Sequence, residues 1–143
     1  MKSGTVGITR VIPESFEKSL LLVRRSLSTA GLSVVQEFEM SREPCFQLSI
    51  ARRSCVVLLV DTPVLLFEAI ALDRSAAVFL PLHVVIIGDR DTSYVHWVNP
   101  TIDSGLRPPA PSRAALEDLY KRITEVLSEL PQPAEAAAHN QSR

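Results

Sequence analysis

The sequence predicts an α+β protein built on a mainly antiparallel sheet with helices packed on one face. Two apolar runs, at 55–60 and 82–87, are short, rich in Val, Ile and Leu, and bounded by turn residues, which is typical of strands. Segments with apolar residues at helical spacing flank them, at 16–30 and 116–130. Strands grouped between helices favour the α+β class. The predicted order is strand, helix, four strands and helix, with a short helical crossover near 64–72.

The first two elements are a strand and an amphipathic helix. Residues 4–12 alternate weakly between apolar and polar, which predicts the first strand. Ser15 follows Pro13 and can accept hydrogen bonds from the free amides of a first helical turn, so we expect a helix to begin there. Apolar residues then recur at steps of three and four up to Ala30. Gly31 stands where a left-handed residue would end the helix.

The strands that follow differ in their pattern. Residues 32–40 alternate, which predicts a half-buried strand with Gln36 as the odd polar residue on its inner face, and an edge segment is expected at 46–50. The runs at 55–60 and 82–87 are apolar at odd and even positions alike, whereas a strand with one wet face should alternate. Both faces of the sheet should therefore be covered. A second copy of the chain, related by two-fold symmetry, is the candidate cover for the second face.

The crossover and the last helix complete the fold. We expect Asp61 to cap the turn before Pro63, and residues 64–72 carry the apolar pattern of a short helix. A proline-rich connection follows the last strand. Ser112 is then expected to cap the last helix, whose apolar stripe ends at Leu130.

Length and composition fit one domain. The chain has 143 residues, of which 46% are hydrophobic and 22% charged, which is enough apolar material for a core. We expect residues 1–130 to form a single α+β domain. The Ala-rich, polar residues 131–143 are expected to form a disordered tail.

Charge and hydropathy argue against two classes of partner. The formal net charge is -1, from 15 basic and 16 acidic residues, without the basic stripe of a nucleic-acid-binding protein. The apolar runs are far shorter than the roughly 20 residues that cross a bilayer. The two cysteines, Cys45 and Cys55, match neither a disulfide framework nor a CxxC pair, and we find no secretory signal pattern. We expect a cytoplasmic protein that binds neither nucleic acid nor membrane.

The sequence favours a binding module over an enzyme. It contains no GxxxxGK, GxGxxG, HExxH or GxSxG motif, so four common classes of enzyme lack their usual site. We expect a non-enzymatic, homodimeric binding or accessory module, with a small apolar molecule as a further candidate ligand. The alternative is a metal- or thiol-dependent protein.

Cys55, His83 and His96 form the candidate metal site of that alternative. A thiolate and two imidazoles suit zinc or a similar metal. A four-residue loop between the last two strands would pair 83 with 98 and 85 with 96, which places both histidines on one face, whereas a five-residue loop would separate them. The competing interpretation is structural: two buried imidazoles and an inert thiol. We therefore expect no cofactor, with zinc as the alternative.

Three aromatic residues form the candidate site for an apolar ligand. Phe79, Tyr94 and Trp97 lie near the end of the predicted sheet, where the last helix is expected to pack. Apolar and aromatic side chains typically line such clefts. Core packing is the competing explanation for the same residues.

Four segments resemble the family catalogued as domain of unknown function 302. The resemblance covers roughly Val6 to Asn99 and implies a fold similar to the TATA-binding-protein-like class, with helices flanking a sheet in the order predicted above. It implies no activity. The segments are Ser15-Phe16-Glu17, Ala30-Gly31-Leu32, Cys55-Val56-Val57-Leu58-Leu59-Val60-Asp61-Thr62-Pro63 and Phe79-Leu80-Pro81-Leu82-His83-Val84-Val85.

Overall fold

The structure, a computed structural model, describes residues 7–40, 53–62, 64–72, 74, 80–88, 90–99 and 110–132. The α+β class and the order of elements predicted from the sequence are confirmed. The expected segment at 46–50 lies outside the described residues. The elements are β1 (Ile8–Ile12), α1 (Phe16–Thr29), β2 (Ser33–Glu39), β3 (Ser54–Asp61), α2 (Leu65–Leu72), β4 (Leu82–Gly88), β5 (Ser93–Trp97) and α3 (Ala110–Ser128).

The five strands form one antiparallel sheet in the order β1-β5-β4-β3-β2. The first of the described strands therefore pairs with the last of them. The two most apolar strands, β3 and β4, have a neighbouring strand on each side. Their interior place in the sheet agrees with apolar side chains at nearly every position.

Helix α1 begins and ends where the sequence predicts. The hydroxyl oxygen of Ser15 accepts a hydrogen bond from the amide of Lys18 at 3.4 Å. Gly31 adopts a φ of +78° after the helix, a conformation that glycine reaches without a side-chain penalty. The amide of Leu32 then donates to the carbonyl oxygen of Leu27 at 3.0 Å. These bonds satisfy backbone groups that a helix end leaves free.

The helices cover one face of the sheet, as predicted. The hydrophobic core lies between them and the alternate strand positions that point toward them. None of the described helices is long and apolar enough to cross a bilayer. The core residues of the strands are Ile12, Val56, Leu58, Val60, Leu82, Val84, Ile86, Val95 and Trp97, and those of the helices are Phe16, Leu20, Val23, Leu27, Leu65, Leu116, Leu119, Ile123 and Leu127.

Helix α3 begins at Ala110, so Ser112 is its third residue. The prediction that Ser112 caps this helix is therefore wrong. Proline is compatible with a first helical turn, because the amide that it lacks would have no partner there. Pro111 consequently does not delay the start of the helix.

Strand β2 contains a β-bulge that the sequence pattern does not reveal. Val34 pairs with Val60, but the next pair along the strand is Gln36 with Leu59. One extra residue, Val35, therefore lies between them. An extra residue exchanges the two faces of everything that follows in a strand.

The bulge changes which side chains of β2 face the helices. Glu37 lies on the helix side and forms an ion pair with Arg24 of α1, in which Nε donates to Oε1 at 2.6 Å. Gln36 and Phe38 lie on the opposite side. The prediction of one continuous alternation, with Gln36 on the inner face, is wrong for this reason.

Candidate functional site

The side of the sheet opposite the helices is the candidate functional surface. Strand pairing places alternate residues of all five strands on it, and we call it the open face. Its members are Thr9 and Val11 of β1, Ser33, Gln36 and Phe38 of β2, Cys55, Val57, Leu59 and Asp61 of β3, His83, Val85 and Ile87 of β4, and Tyr94 and His96 of β5.

One row of the open face crosses the whole sheet. Directly opposed side chains on paired antiparallel strands have Cβ atoms about 4.5–5.5 Å apart, so the row forms a continuous surface. At one end Phe38 is 48% exposed, and in the adjacent row Tyr94 is 38% exposed. The row consists of successive strand partners: Thr9, His96, Val85, Val57 and Phe38.

The open face carries no lysine, arginine or glutamate among its members. Its titratable side chains are Cys55, Asp61, His83, Tyr94 and His96, and Asp61, at the end of β3, is 2% exposed. Glu37 points to the helix side, where it forms an ion pair with α1. The open face is therefore a mainly apolar surface with polar positions, and its carboxylate is buried.

His96 is held in place on this surface by the neighbouring strand. Its Nδ1 atom lies 2.8 Å from the hydroxyl oxygen of Thr9, so one of the two groups donates a hydrogen bond to the other. The imidazole is half-buried, and burial lowers the pKa of His96 because it disfavours the charged form. The neutral imidazole is the form favoured at pH 7.

The strand register brings His83 and His96 to the same face. Gly88 pairs with Ser93 and Val85 pairs with His96, which is the register of a four-residue loop. The sequence left a four-residue and a five-residue loop open, and the structure has the four-residue register, which places both histidines on one face. They occupy diagonal positions on β4 and β5, where Cα atoms are about 7–8 Å apart.

Cys55 shares the open face but lies far from His83. Cys55 pairs with Ile87, which is four residues along β4 from His83. At about 3.3 Å per residue, this separates them by roughly 13 Å along the strand. Zinc bonds its ligands at about 2.0–2.3 Å. In the part of the chain that is described, no group of three or more His, Cys, Asp and Glu residues is placed to hold a metal ion.

The thiol of Cys55 has the environment of an inert cysteine. The residue is 4% exposed, and burial raises its pKa because the thiolate is disfavoured away from water. A nucleophilic cysteine needs the opposite shift. Cys45 lies outside the described residues.

The structure does not bring Tyr94 and Trp97 together. Trp97 faces the helices, is 3% exposed, and donates a hydrogen bond from Nε1 to the hydroxyl oxygen of Thr124 in α3 at 2.9 Å. Tyr94 lies on the open face, across the sheet from it. One pocket cannot be lined by both side chains, and Phe79 lies outside the described residues.

Asp61 has the turn-forming role that the sequence predicts. Its Oδ1 atom accepts a hydrogen bond from the amide of Thr62 at 2.7 Å. The hydroxyl oxygen of Thr62 accepts in turn from the amide of Leu65 at 3.2 Å, at the start of α2. Burial raises the pKa of Asp61, and the bond from Thr62 opposes that shift. These contacts explain why the polar residues Asp61 and Thr62 follow the apolar part of β3.

Sequence reasoning missed several residues of the open face. The runs at 55–60 and 82–87 predict a second apolar face, but nothing in the sequence singles out Val57 or Val85 within it. The unbroken alternation predicted for residues 32–40 would place Phe38 on the helix side with Val34, because the bulge at Val35 leaves no mark in the sequence pattern. The unbroken apolar character of the inner strands was the signal that could have found this surface.

Comparison with known proteins gives a family and a fold. The sequence matches the model of a family described as domain of unknown function DUF302 over residues 8–130. The structure is similar to the crystal structure of an uncharacterized conserved protein DUF302 from Bacillus stearothermophilus, with a TM-score of 0.76 and 17% sequence identity over 90% of this chain and 100% of that chain. No curated protein matches the sequence. At this identity, the structural likeness is evidence for the fold alone.

Proposed function

This chain belongs to the DUF302 family, whose model matches residues 8–130, and from that premise we propose that it is a non-enzymatic binding module that forms a homodimer through the open face. The observation that carries the proposal is the uncharged row from Thr9 to Phe38, which crosses five strands on the side away from the helices. In the dimer that we propose, the open face of a second copy covers this surface.

The size of the open face supports a reversible association. Five strands about 4.8 Å apart and five residues of about 3.3 Å each give a flat area of roughly 400 Å². Apolar patches of about 300–600 Å² are the largest that soluble monomers usually expose, and they are often functional. Stable interfaces bury about 800 Å² on each partner. We therefore expect a dimer that dissociates on dilution rather than a permanent one.

The scarcity of accessible charge on the open face favours a second copy as the partner. In a two-fold contact each side chain meets the same surface that it belongs to. A surface that exposes charges of one sign would then oppose like charges, which disfavours association, whereas Asp61, the carboxylate of the open face, is 2% exposed. Apolar side chains such as those of Val57 and Val85 contact apolar side chains of the second copy without that penalty. Their burial contributes about 25 cal/mol for each Å² of apolar surface removed from water.

Sedimentation velocity over a range of protein concentrations tests the proposal. We expect the wild-type chain to pass from monomer to dimer, and the Val57→Asp variant to remain monomeric, since an unpaired carboxylate would be buried at the centre of the contact. The matched control is Leu21→Asp, because Leu21 is 53% exposed on α1, away from the open face. This control should dimerise like the wild type.

A second variant guards against a folding defect in the first. Phe38→Asp/Tyr94→Asp changes two exposed residues of the open face and should leave the far-ultraviolet circular dichroism spectrum unchanged. A wild-type monomer at every concentration, or an undiminished dimer in this double variant, would overturn the proposal. If the monomer instead binds an apolar dye and Val57→Asp abolishes that binding, a small apolar ligand replaces the second copy as occupant.

A further inference from the structure

We infer that protonation of His96 controls association through the open face, so that the dimer forms at neutral pH and dissociates on mild acidification. This inference rests on the proposed function and adds its regulation. It concerns one side chain within the contact rather than the general acid sensitivity of the fold.

The position of His96 places it inside the contact. It is the second member of the row that crosses the sheet, between Thr9 on β1 and Val85 on β4. The contact between its Nδ1 atom and the hydroxyl oxygen of Thr9, at 2.8 Å, fixes the ring against the edge strand. A second copy that covers the row must cover this imidazole as well.

The carboxylate of the open face, that of Asp61 at the end of β3, does not lie beside His96. The titratable neighbours on its side of the sheet are Tyr94 on the same strand and His83 diagonally on β4, with Cys55 farther away on β3. On β1, Arg10 belongs to the other side, where its guanidinium donates to the carbonyl oxygen of Ser128. A second open face presents the same set of groups together with its own Asp61, a residue that is 2% exposed and accepts a hydrogen bond from the amide of Thr62. It therefore offers an imidazolium no accessible negative partner.

The end of β3 holds the nearest carboxylate of the inner strands. Asp61 is two strands away from His96 and is tied to the amide of Thr62. It pairs with Ser33 at the far end of the strand, whereas Val57 lies in the row of His96. Four residues of strand, about 13 Å, separate the two positions along the sheet. Asp61 is too distant to stabilise a protonated His96.

Covering His96 must disfavour its charged form. Burial within the protomer already lowers the pKa of His96, and removal of the remaining water lowers it further. Fewer protons are then bound in the dimer than in two monomers. Because proton binding and association are linked, the dissociation constant rises as the pH falls below the pKa that His96 has in the monomer. The unperturbed pKa of a histidine is about 6.5. Each unit by which association lowers this pKa weakens the dimer up to about tenfold per histidine, hence up to about 100-fold for two copies.

The test is the dissociation constant of the full chain at pH 7.5 and pH 5.5, measured by sedimentation velocity. We expect the wild-type dissociation constant to rise at the lower pH by up to about 100-fold, the limit for two histidines with an unperturbed pKa of about 6.5, and by less because burial lowers the pKa of His96 within the protomer. The variant His96→Asn should lose this dependence, because its amide does not titrate and still offers polar atoms to Thr9. The control His83→Asn removes the other open-face imidazole and should keep the wild-type ratio between the two pH values.

The outcomes separate the inference from the proposed function. A wild-type chain that is monomeric at pH 7.5 overturns both. A wild-type dimer with equal dissociation constants at the two pH values, or a His96→Asn dimer that retains the full dependence, overturns only the role of His96. Circular dichroism at pH 5.5 shows whether the monomer is folded, so that dissociation is not confused with acid unfolding.

Discussion

The guanidinium of Arg10, on the first strand, donates a hydrogen bond at 2.5 Å to the carbonyl oxygen of Ser128, at the end of the last helix. A second bond from the same nitrogen reaches the carbonyl oxygen of Leu130 at 3.0 Å. The last carbonyl groups of a helix have no partner within the helix, and a cation there also interacts favourably with the helix dipole. Arg10 therefore joins β1 to the end of α3.

Replacing Arg10 with methionine should destabilise the fold. Arg10→Met keeps the aliphatic stem but removes the donors, and we expect a loss of about 1–2 kcal/mol in the free energy of unfolding. Urea denaturation measures it. Arg25→Met, at an exposed position of α1, is the control and should change stability by less than about 0.5 kcal/mol. Equal losses in the two variants would show that the bonds to α3 contribute nothing.

Two glycines with the same backbone conformation should differ in their tolerance of alanine. Gly7 and Gly31 both have a φ of +78°. A Cβ atom at Gly7 would overlap the carbonyl oxygen of Trp97 and a methyl group of Val98, whereas at Gly31 the nearest atom is Nη2 of Arg122 at 3.9 Å. The backbone cost of about 1 kcal/mol applies to both positions.

We therefore expect Gly7→Ala to lose at least about 1 kcal/mol more stability than Gly31→Ala, because overlap with backbone adds to the conformational cost. Thermal and urea unfolding of the two variants give the difference directly. A Gly7→Ala protein as stable as Gly31→Ala would mean that the start of β1 can move away from β5.

The thiol of Cys55 should be protected in the folded protein. Burial raises its pKa, so at pH 8 it has a smaller thiolate fraction than a free cysteine with a pKa of about 8.5. In a Cys45→Ser variant, which leaves Cys55 as the remaining cysteine, reaction with a disulfide reagent should be slow in buffer and rapid in urea. Raising the pH should accelerate the reaction. A native rate equal to that of a small free thiol would contradict this assignment.

Metal analysis tests the alternative of a metal-dependent protein. Because roughly 13 Å of strand separates Cys55 from His83, we expect less than one zinc per chain in protein purified without added metal. Cys55→Ser and His83→Asn should not change the measured content. Stoichiometric zinc that is lost in both variants would instead support a metal site and require the strands to rearrange.

The sequence by itself predicts the class of the fold and several of the places where its elements begin and end. The start of α1 at Ser15, its end at Gly31 and the turn at Asp61 follow from local chemistry, because a side chain or a backbone conformation acts on amides only a few residues away. The order of strands and helices follows from the same local periodicity. Ser112 failed as a cap, since Pro111 fits inside a first helical turn as well as before one.

Only the tertiary structure decided what lies beside what. The pairing of β1 with β5, the bulge at Val35 and the placement of Tyr94 and Trp97 on opposite sides of the sheet all depend on contacts between residues distant in the chain. Periodicity is a property of one strand, whereas register is a property of two, and a shift of one residue exchanges the faces of a strand without changing its composition. The open face is visible only once all five strands are paired, and so the candidate site could be anticipated as an apolar surface but not as a set of residues.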